Sequence, residues 1–175
     1  MSETSSPKAR AFWPVLIGIY ALDFISKRLA VAELSPMYVP HNIIGDFVRF
    51  TLAYNKDAAM GLSLGGYSRI GFTITAAIIL VVLGVIYRRT EHSAVGAGVA
   101  LAMIAAGALG NLTDRLTSSL GVVDFIDVGI GSSRFYTFNV ADSAITCGAI
   151  LLAILSMKAE KSAEVGKAEK LTEEA

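Results

Sequence analysis

The sequence predicts an all-α integral membrane protein with four transmembrane helices and a small extracytoplasmic β-element in the first outer loop. Three observations carry that prediction. Hydrophobic residues make up 54% of the 175 and charged residues 17%, against roughly 45–50% and 25% in soluble domains, and mean hydropathy is +0.58. The apolar residues cluster in four stretches close to the roughly 20 residues a spanning helix needs. Lysine and arginine concentrate on one side of those stretches, as the positive-inside rule requires. The length predicts one complete domain. Fifteen basic residues balance fifteen acidic ones, so no broad positive field attracts nucleic acid. Cys147 is the single cysteine, which excludes an internal disulfide framework and every multi-cysteine zinc pattern.

Each element follows in order. Residues 1–10 are polar and are expected to form a cytoplasmic tail. Helix one is predicted over about 11–32. Lys8 and Arg10, the apolar run Phe12 to Leu22 and Ala30-Val31-Ala32 imitate a cleavable signal peptide. Asp23, Lys27 and Arg28 interrupt that pattern, and three later spans need a fourth partner, so the stretch is read as an uncleaved helix. Loop one, 33–68, alternates around Phe47-Val48-Arg49-Phe50-Thr51-Leu52 and turns at Gly61, Gly65 and Gly66, which predicts the β-element. Helix two, about 69–87, contains the uncharged run Ile70 to Tyr87, and helix three, about 94–112, is rich in Ala and Gly. Loop three, 113–136, carries a strand-like piece, Val122-Val123-Asp124-Phe125-Ile126-Asp127. Helix four is predicted over about 137–157, which makes 11–157 the membrane domain. Residues 158–175 mix Lys and Glu and form a second cytoplasmic tail. With the N-terminus inside, segments 1–10, 88–93 and 158–175 hold eight of the fifteen Lys and Arg within thirty-four residues. Both termini are therefore placed in the cytoplasm.

This topology sends the polar residues to the outer ends of the helices. Asn111 with Asp114 and Arg115, Asn139 with Asp142, and Asp23 with Lys27 are spaced i, i+3 or i, i+4, so each set shares one helix face. A charge at a helix centre costs on the order of 2.5–3.5 kcal/mol on insertion scales, so such groups face the bundle interior or water. Structural roles compete with functional ones. Asp23 and Lys27 suit an intrahelical ion pair, Arg115 an interfacial anchor, and Asn111 and Asn139 helix caps or interhelical hydrogen bonds. Asp142 has no basic residue within a helical turn and calls for a special environment; Asp124 is similar, with Asp127 competing for its role. His41 and His92 fall on opposite membrane sides, and Cys147 and the methionines read as packing.

There is no H-E-x-x-H motif, nucleophile elbow or P-loop, and the adjacent Ser26 and Lys27 point about 100° apart on a helix. Two aspartates remain the plausible reactive groups, because paired carboxylates share a proton and can activate water. Spacing alone leaves Asp114, Asp124, Asp127 and Asp142 open.

Five segments narrow the choice: Asp23-Phe24-Ile25-Ser26-Lys27, Asn55-Lys56-Asp57-Ala58-Ala59-Met60-Gly61, Gly110-Asn111-Leu112-Thr113-Asp114-Arg115, Val123-Asp124-Phe125 and Phe138-Asn139-Val140-Ala141-Asp142. In this order, over roughly Phe12 to Met157, they resemble the bacterial lipoprotein signal peptidases, the signal peptidase II family of intramembrane aspartic endopeptidases. The resemblance implies cleavage of diacylglyceryl-modified prolipoproteins before the lipidated cysteine, with Asp124 and Asp142 as the catalytic dyad. It implies that Asn55, Asn111, Arg115 and Asn139 bind substrate and that Asp23, Lys27, Asp114 and Gly110 support them. It implies no cofactor or metal, partners limited to prolipoproteins and membrane lipids, a monomer, and a bacterial inner-membrane location with the site facing outward. Ser26 stands where the family usually has Thr, Asp57 where it has Gly and Met60 where it has Phe. A small proton- or cation-coupled transporter would also use intramembrane Asp, Asn and Arg, but the chain shows no internal repeat. A purely structural assembly factor would not need Asp142.

Overall fold

The computed structural model describes residues 6–56 and 67–173. They form α1 (Pro7–Glu33), β1 (Pro40–Ile44), β2 (Val48–Asn55), α2 (Ser68–Arg89), α3 (Val95–Thr117), β3 (Val122–Ile130), β4 (Ser133–Arg134) and α4 (Val140–Glu173). Among the described residues, three helices are long and apolar enough to cross a membrane: α2, α3 and α4 over Val140–Ser162. The 27 residues of α1 extend about 40 Å at 1.5 Å per residue, but its second half carries Asp23, Lys27 and Arg28.

The central element is α3, whose backbone lies close to those of α1, α2 and α4, whereas among the described elements the backbone of α2 lies close to that of α3 alone. Composition explains this. The buried residues of α3 are mainly Gly and Ala, and small side chains let helix backbones approach closely. At Gly107 a Cβ would lie 2.3 Å from the Ala141 carbonyl oxygen, so the α3–α4 contact requires glycine there. On α2, by contrast, Ile70, Ile74, Ile78, Val81 and Val82 are exposed. Only 11% of its apolar window is buried, against 56% for α3; such an apolar outer face suits contact with lipid.

The strands form one antiparallel sheet in the order β1-β2-β3-β4. The β-element is therefore not confined to the first outer loop: β2 and β3 pair along their length, with Ala53 opposite Asp124. The physical reason is backbone satisfaction. A two-stranded hairpin leaves an unpaired edge, and the segment between α3 and α4 covers it. Gly121, with φ of +103°, makes the close approach at the start of β3, where a Cβ would lie 2.3 Å from the Asn55 carbonyl oxygen.

The ends of three helices lie beyond the predicted positions. Ser6 accepts a hydrogen bond from the Ala9 amide and Pro7 occupies the first turn, so α1 starts at Pro7. Lys8 lies in that turn and is buried rather than solvated. Its Nζ donates to the carbonyls of Tyr87, at 2.7 Å, and Thr90, and sits 4.3 Å from the Tyr87 ring centroid. The third helix runs on to Thr117, and α4 continues past Met157 to Glu173. Asp57, Met60, Gly61, Gly65 and Gly66 lie outside the described residues.

Candidate active site

The first turn of α4 sets the geometry. Asn139 precedes the helix; its Oδ1 accepts from the Asp142 amide at 2.9 Å, and its own amide donates to Asp142 Oδ2 at 3.2 Å. This reciprocal pair is a capping box, and it fixes Asp142 at a helix N-terminus, where partial positive charge favours anions. Asn139 is fully buried. Its Nδ2 donates to Asp124 Oδ1 at 2.7 Å and reaches the Val123 carbonyl and Asn111 Oδ1, each at 3.2 Å. One asparagine thus caps α4, binds β3 and touches both Asp142 and Asp124.

Asp124 sits on β3, buried, with hydrogen bonds from the Asn139 and Asn55 side chains. Burial, and then the nearby charge of Asp142, push its carboxyl up to about 7 against the opposing hydrogen bonds and the Lys27 charge. Asp142, half-buried, accepts at Oδ1 from Asn111 Nδ2 at 2.8 Å.

Behind Asn111 lies a buried charge cluster. The Lys27 ammonium donates to Asn111 Oδ1 at 2.9 Å and ion-pairs with Asp23 Oδ2 at 2.8 Å and Asp114 Oδ2 at 3.0 Å. Its three protons thus have three acceptors. Because Lys27 occupies Oδ1 of Asn111, the amide nitrogen is left facing Asp142. Asp23 Oδ1 also accepts from the Ala141 amide at 2.9 Å, which ties α1 to the start of α4. Gly110 makes this possible, since a Cβ there would lie 2.3 Å from Asp23 Oδ2. Asp114 ties α3 to β3 by accepting from the Val123 amide at 3.2 Å.

Asp127, the competitor of Asp124, is fully engaged elsewhere. Arg134 Nε donates to its Oδ1 at 2.8 Å; Arg49 Nε and Thr51 Oγ1 donate to its Oδ2 at 3.0 and 3.1 Å. Burial resists its ionisation, but these hydrogen bonds outweigh burial and hold its carboxyl below the ordinary value. Asp127 is a latch of the sheet.

Asp124, Asp142, Asn55, Asn111 and Arg115 line one cavity of about 840 Å³. Arg115 Nη1 donates to the Asn111 carbonyl at 3.2 Å, and its guanidinium faces the charges of Asp142, Asp124 and Asp114. Asn139, Asp23, Lys27, Asp114 and Gly110 stand behind that wall. Tyr38, Phe135, Tyr136, Thr146 and Cys147 are among the other residues that line it, and the sequence did not single them out as site residues. Cys147 is exposed to the cavity rather than packed. The helical steps from Asp142 to Thr146 and from Ser143 to Cys147 are the signal that places the α4 residues there; the aromatic residues carry no comparable signal. Two carboxylates of different environment, one water-accessible cavity and nearby Asn and Arg donors suit acid–base hydrolysis of a polar bond.

Comparison with known proteins identifies a peptidase family. The family model described as "Signal peptidase (SPase) II" matches residues 15–158. The chain is 42% identical over 156 residues to the lipoprotein signal peptidase of Streptomyces coelicolor, covering 86% of this chain and 72% of that protein. It is 41% identical over 155 residues to that of Pseudomonas paraeruginosa, covering 86% and 89%. Two solved structures, each described as a bacterial membrane enzyme, superpose with TM-scores of 0.73 and 0.72 at 32% identity. They cover 82% of this chain and 85% and 90% of theirs.

Proposed function

The chain belongs to the signal peptidase II family, and on that premise we propose that it removes signal peptides from diacylglyceryl-modified prolipoproteins, cleaving before the lipidated cysteine with Asp124 and Asp142 as its catalytic dyad. The family makes it a peptidase of the bacterial inner membrane. One observation carries the aspartic assignment: Asp124 and Asp142 come from different elements, open onto the same cavity and are both bonded by Asn139.

The pair shares one proton at neutral pH. Asp124, whose carboxyl is raised to about 7, holds it. Asp142 accepts hydrogen bonds at both oxygens and acts as the base. Water loses a proton to Asp142 and attacks the scissile carbonyl carbon while Asp124 protonates the carbonyl oxygen. Asp124 regains its proton as the tetrahedral intermediate collapses, the C–N bond breaks, and Asp142 returns its proton to the departing amine. Asn55 and Arg115 orient the substrate backbone and the polar part of its lipid. Lys27 is a positioning residue, holding Asn111 so that its amide faces Asp142.

The same reading includes four spans, with α1 inserted because Asp23 and Lys27 are paired inside the bundle. Residues 11–157 form the peptidase domain between two inner tails, both termini are cytoplasmic, the cavity opens outward, and the enzyme acts as a monomer. The distribution of Lys and Arg supports this orientation. The test is purified protein with a lipidated precursor. Signal peptide should be released, and Asp124→Asn or Asp142→Asn should abolish release while leaving folded protein; full activity in either variant refutes the dyad.

A further inference from the structure

One residue of the cavity holds an unfavourable backbone conformation. Tyr38 has φ of +65° and, among the described residues, is the only one other than glycine with positive φ. It ends the turn between α1 and β1, where its amide donates to the Leu52 carbonyl at 2.9 Å. The turn calls for this left-handed conformation, which glycine and asparagine adopt most easily because a bulkier residue's Cβ crowds the following carbonyl oxygen. Nothing in the turn calls for a phenol.

The ring also contributes little to the fold. Tyr38 is 68% exposed, and among the described residues its side chain has neither a hydrogen bond nor a ring contact. The other aromatic wall of the cavity differs, since the Phe135 ring lies 6.3 Å from that of Tyr136 and 6.0 Å from that of Phe138, between centroids. A bulky side chain on a backbone that disfavours it, without internal partners, is the pattern of a residue retained for a ligand. Its position fits that role. Tyr38 lines the cavity onto which Asp124 and Asp142 open. Pro40 stands opposite Thr51, so the same register continued by two residues brings Tyr38 level with Ala53, itself opposite Asp124. Two strand spacings put the Tyr38 backbone about 10 Å from that of Asp124, the reach of about three residues of extended peptide. We propose that Tyr38 is a specificity-determining residue whose ring covers an aliphatic group of the substrate about 10 Å from the scissile bond. An acyl chain on the lipidated cysteine and an apolar side chain of the signal peptide both offer that chemistry. This role presupposes the peptidase chemistry of Asp124 and Asp142.

The test is steady-state cleavage of lipidated precursor peptides by the full-length protein and by Tyr38→Asn, Tyr38→Gly and Tyr38→Phe. The Asn and Gly variants are expected to raise KM about tenfold with kcat within about twofold, as when binding is lost equally from ground and transition states, whereas Tyr38→Phe keeps KM within about twofold. A tenfold change corresponds to covering about 55 Å² of ring at about 25 cal/mol per Å². The same two variants should melt no lower than the unaltered protein in detergent, because both residues accept positive φ. The tenfold difference should vanish with a precursor of short acyl chains if the acyl chain is the partner, or with alanine about three positions before the scissile bond if the signal peptide is. An unchanged KM in the Asn and Gly variants overturns the proposal, as does a difference that survives both precursor changes. A lower Tm in those variants also overturns it, because the ring is then a structural contact. No cleavage by the unaltered protein refutes the peptidase reading itself, and the role of Tyr38 falls with it.

Discussion

Asp124→Asn is expected to abolish cleavage and at the same time stabilise the protein at alkaline pH. Asp124 is 3% exposed, and its carboxyl is raised from 3.8 to about 7. At 1.36 kcal/mol per pH unit the folded site therefore favours the protonated form by about 4 kcal/mol. Unfolded chains release this proton near pH 3.8, whereas the folded protein keeps it to about 7. The stabilisation is complete below the lower value and is lost as pH rises through the upper one. Asparagine does not titrate, so the loss disappears. It does replace one acceptor oxygen by a donor among the Asn139 and Asn55 contacts, at about 1–2 kcal/mol. The net gain at pH 8 is about 2–3 kcal/mol, or roughly 4–12 °C in Tm for a chain of this size. Thermal unfolding in detergent at pH 4, 6 and 8, beside cleavage of a lipidated precursor, measures both effects. A variant that gains no stability at pH 8 relative to pH 4, or that retains turnover, refutes the reasoning.

Five further outcomes are expected. Turnover of the unaltered enzyme should fall about tenfold per pH unit above 7, as the dyad loses its shared proton; a rate that stays flat to pH 9 contradicts this. Lys27→Met leaves two buried carboxylates without a counter-charge and should cost about 3–5 kcal/mol, largely recovered in Lys27→Met/Asp23→Asn/Asp114→Asn, as unfolding curves would report. Gly110→Ala places a methyl 2.3 Å from Asp23 Oδ2 and should cost about 1–3 kcal/mol. Gly18→Ala, with nothing within 4 Å, should be neutral or stabilising by the same measurement. Asp127→Asn should weaken the sheet by about 1–3 kcal/mol above pH 4 and less in acid, where the depressed carboxyl of the native protein loses its advantage, while the alkaline limb of turnover stays in place.

The helices were legible because their signals are local. An uncharged run such as Ile70 to Tyr87 reads as a span wherever it occurs, and the i, i+4 spacing of Asp23 and Lys27 anticipates their ion pair. The convergence of the polar helix ends was legible in outline, since three faces at one depth need a common interior. What spacing could not choose was the reactive pair among four aspartates. The decision lies in contacts far apart in sequence: Arg49 reaches Asp127 across 78 residues, and Asn139 reaches Asp124 across 15. The full sheet was missed for a related reason. Val122 to Asp127 reads as a strand, but nothing local says that its partner is β2. The aromatic wall of the cavity, Tyr38, Phe135 and Tyr136, sits in loops whose residues have no periodicity to read.

The buried Lys27 cluster also bears on how the chain is made. Asn111 lies 84 residues after Lys27, and at about 5–20 residues per second a ribosome takes some 4–17 s to deliver it. Throughout that interval α1 must hold an ammonium and a carboxylate with neither α3 nor α4 beside them. The spacing of Asp23 and Lys27 lets each neutralise the other within a single turn, so the nascent helix carries its own counter-ion while it waits. When α3 arrives, Asp114 and Asn111 enter a site already charged to receive them, and the first helix made becomes the template on which the later ones assemble.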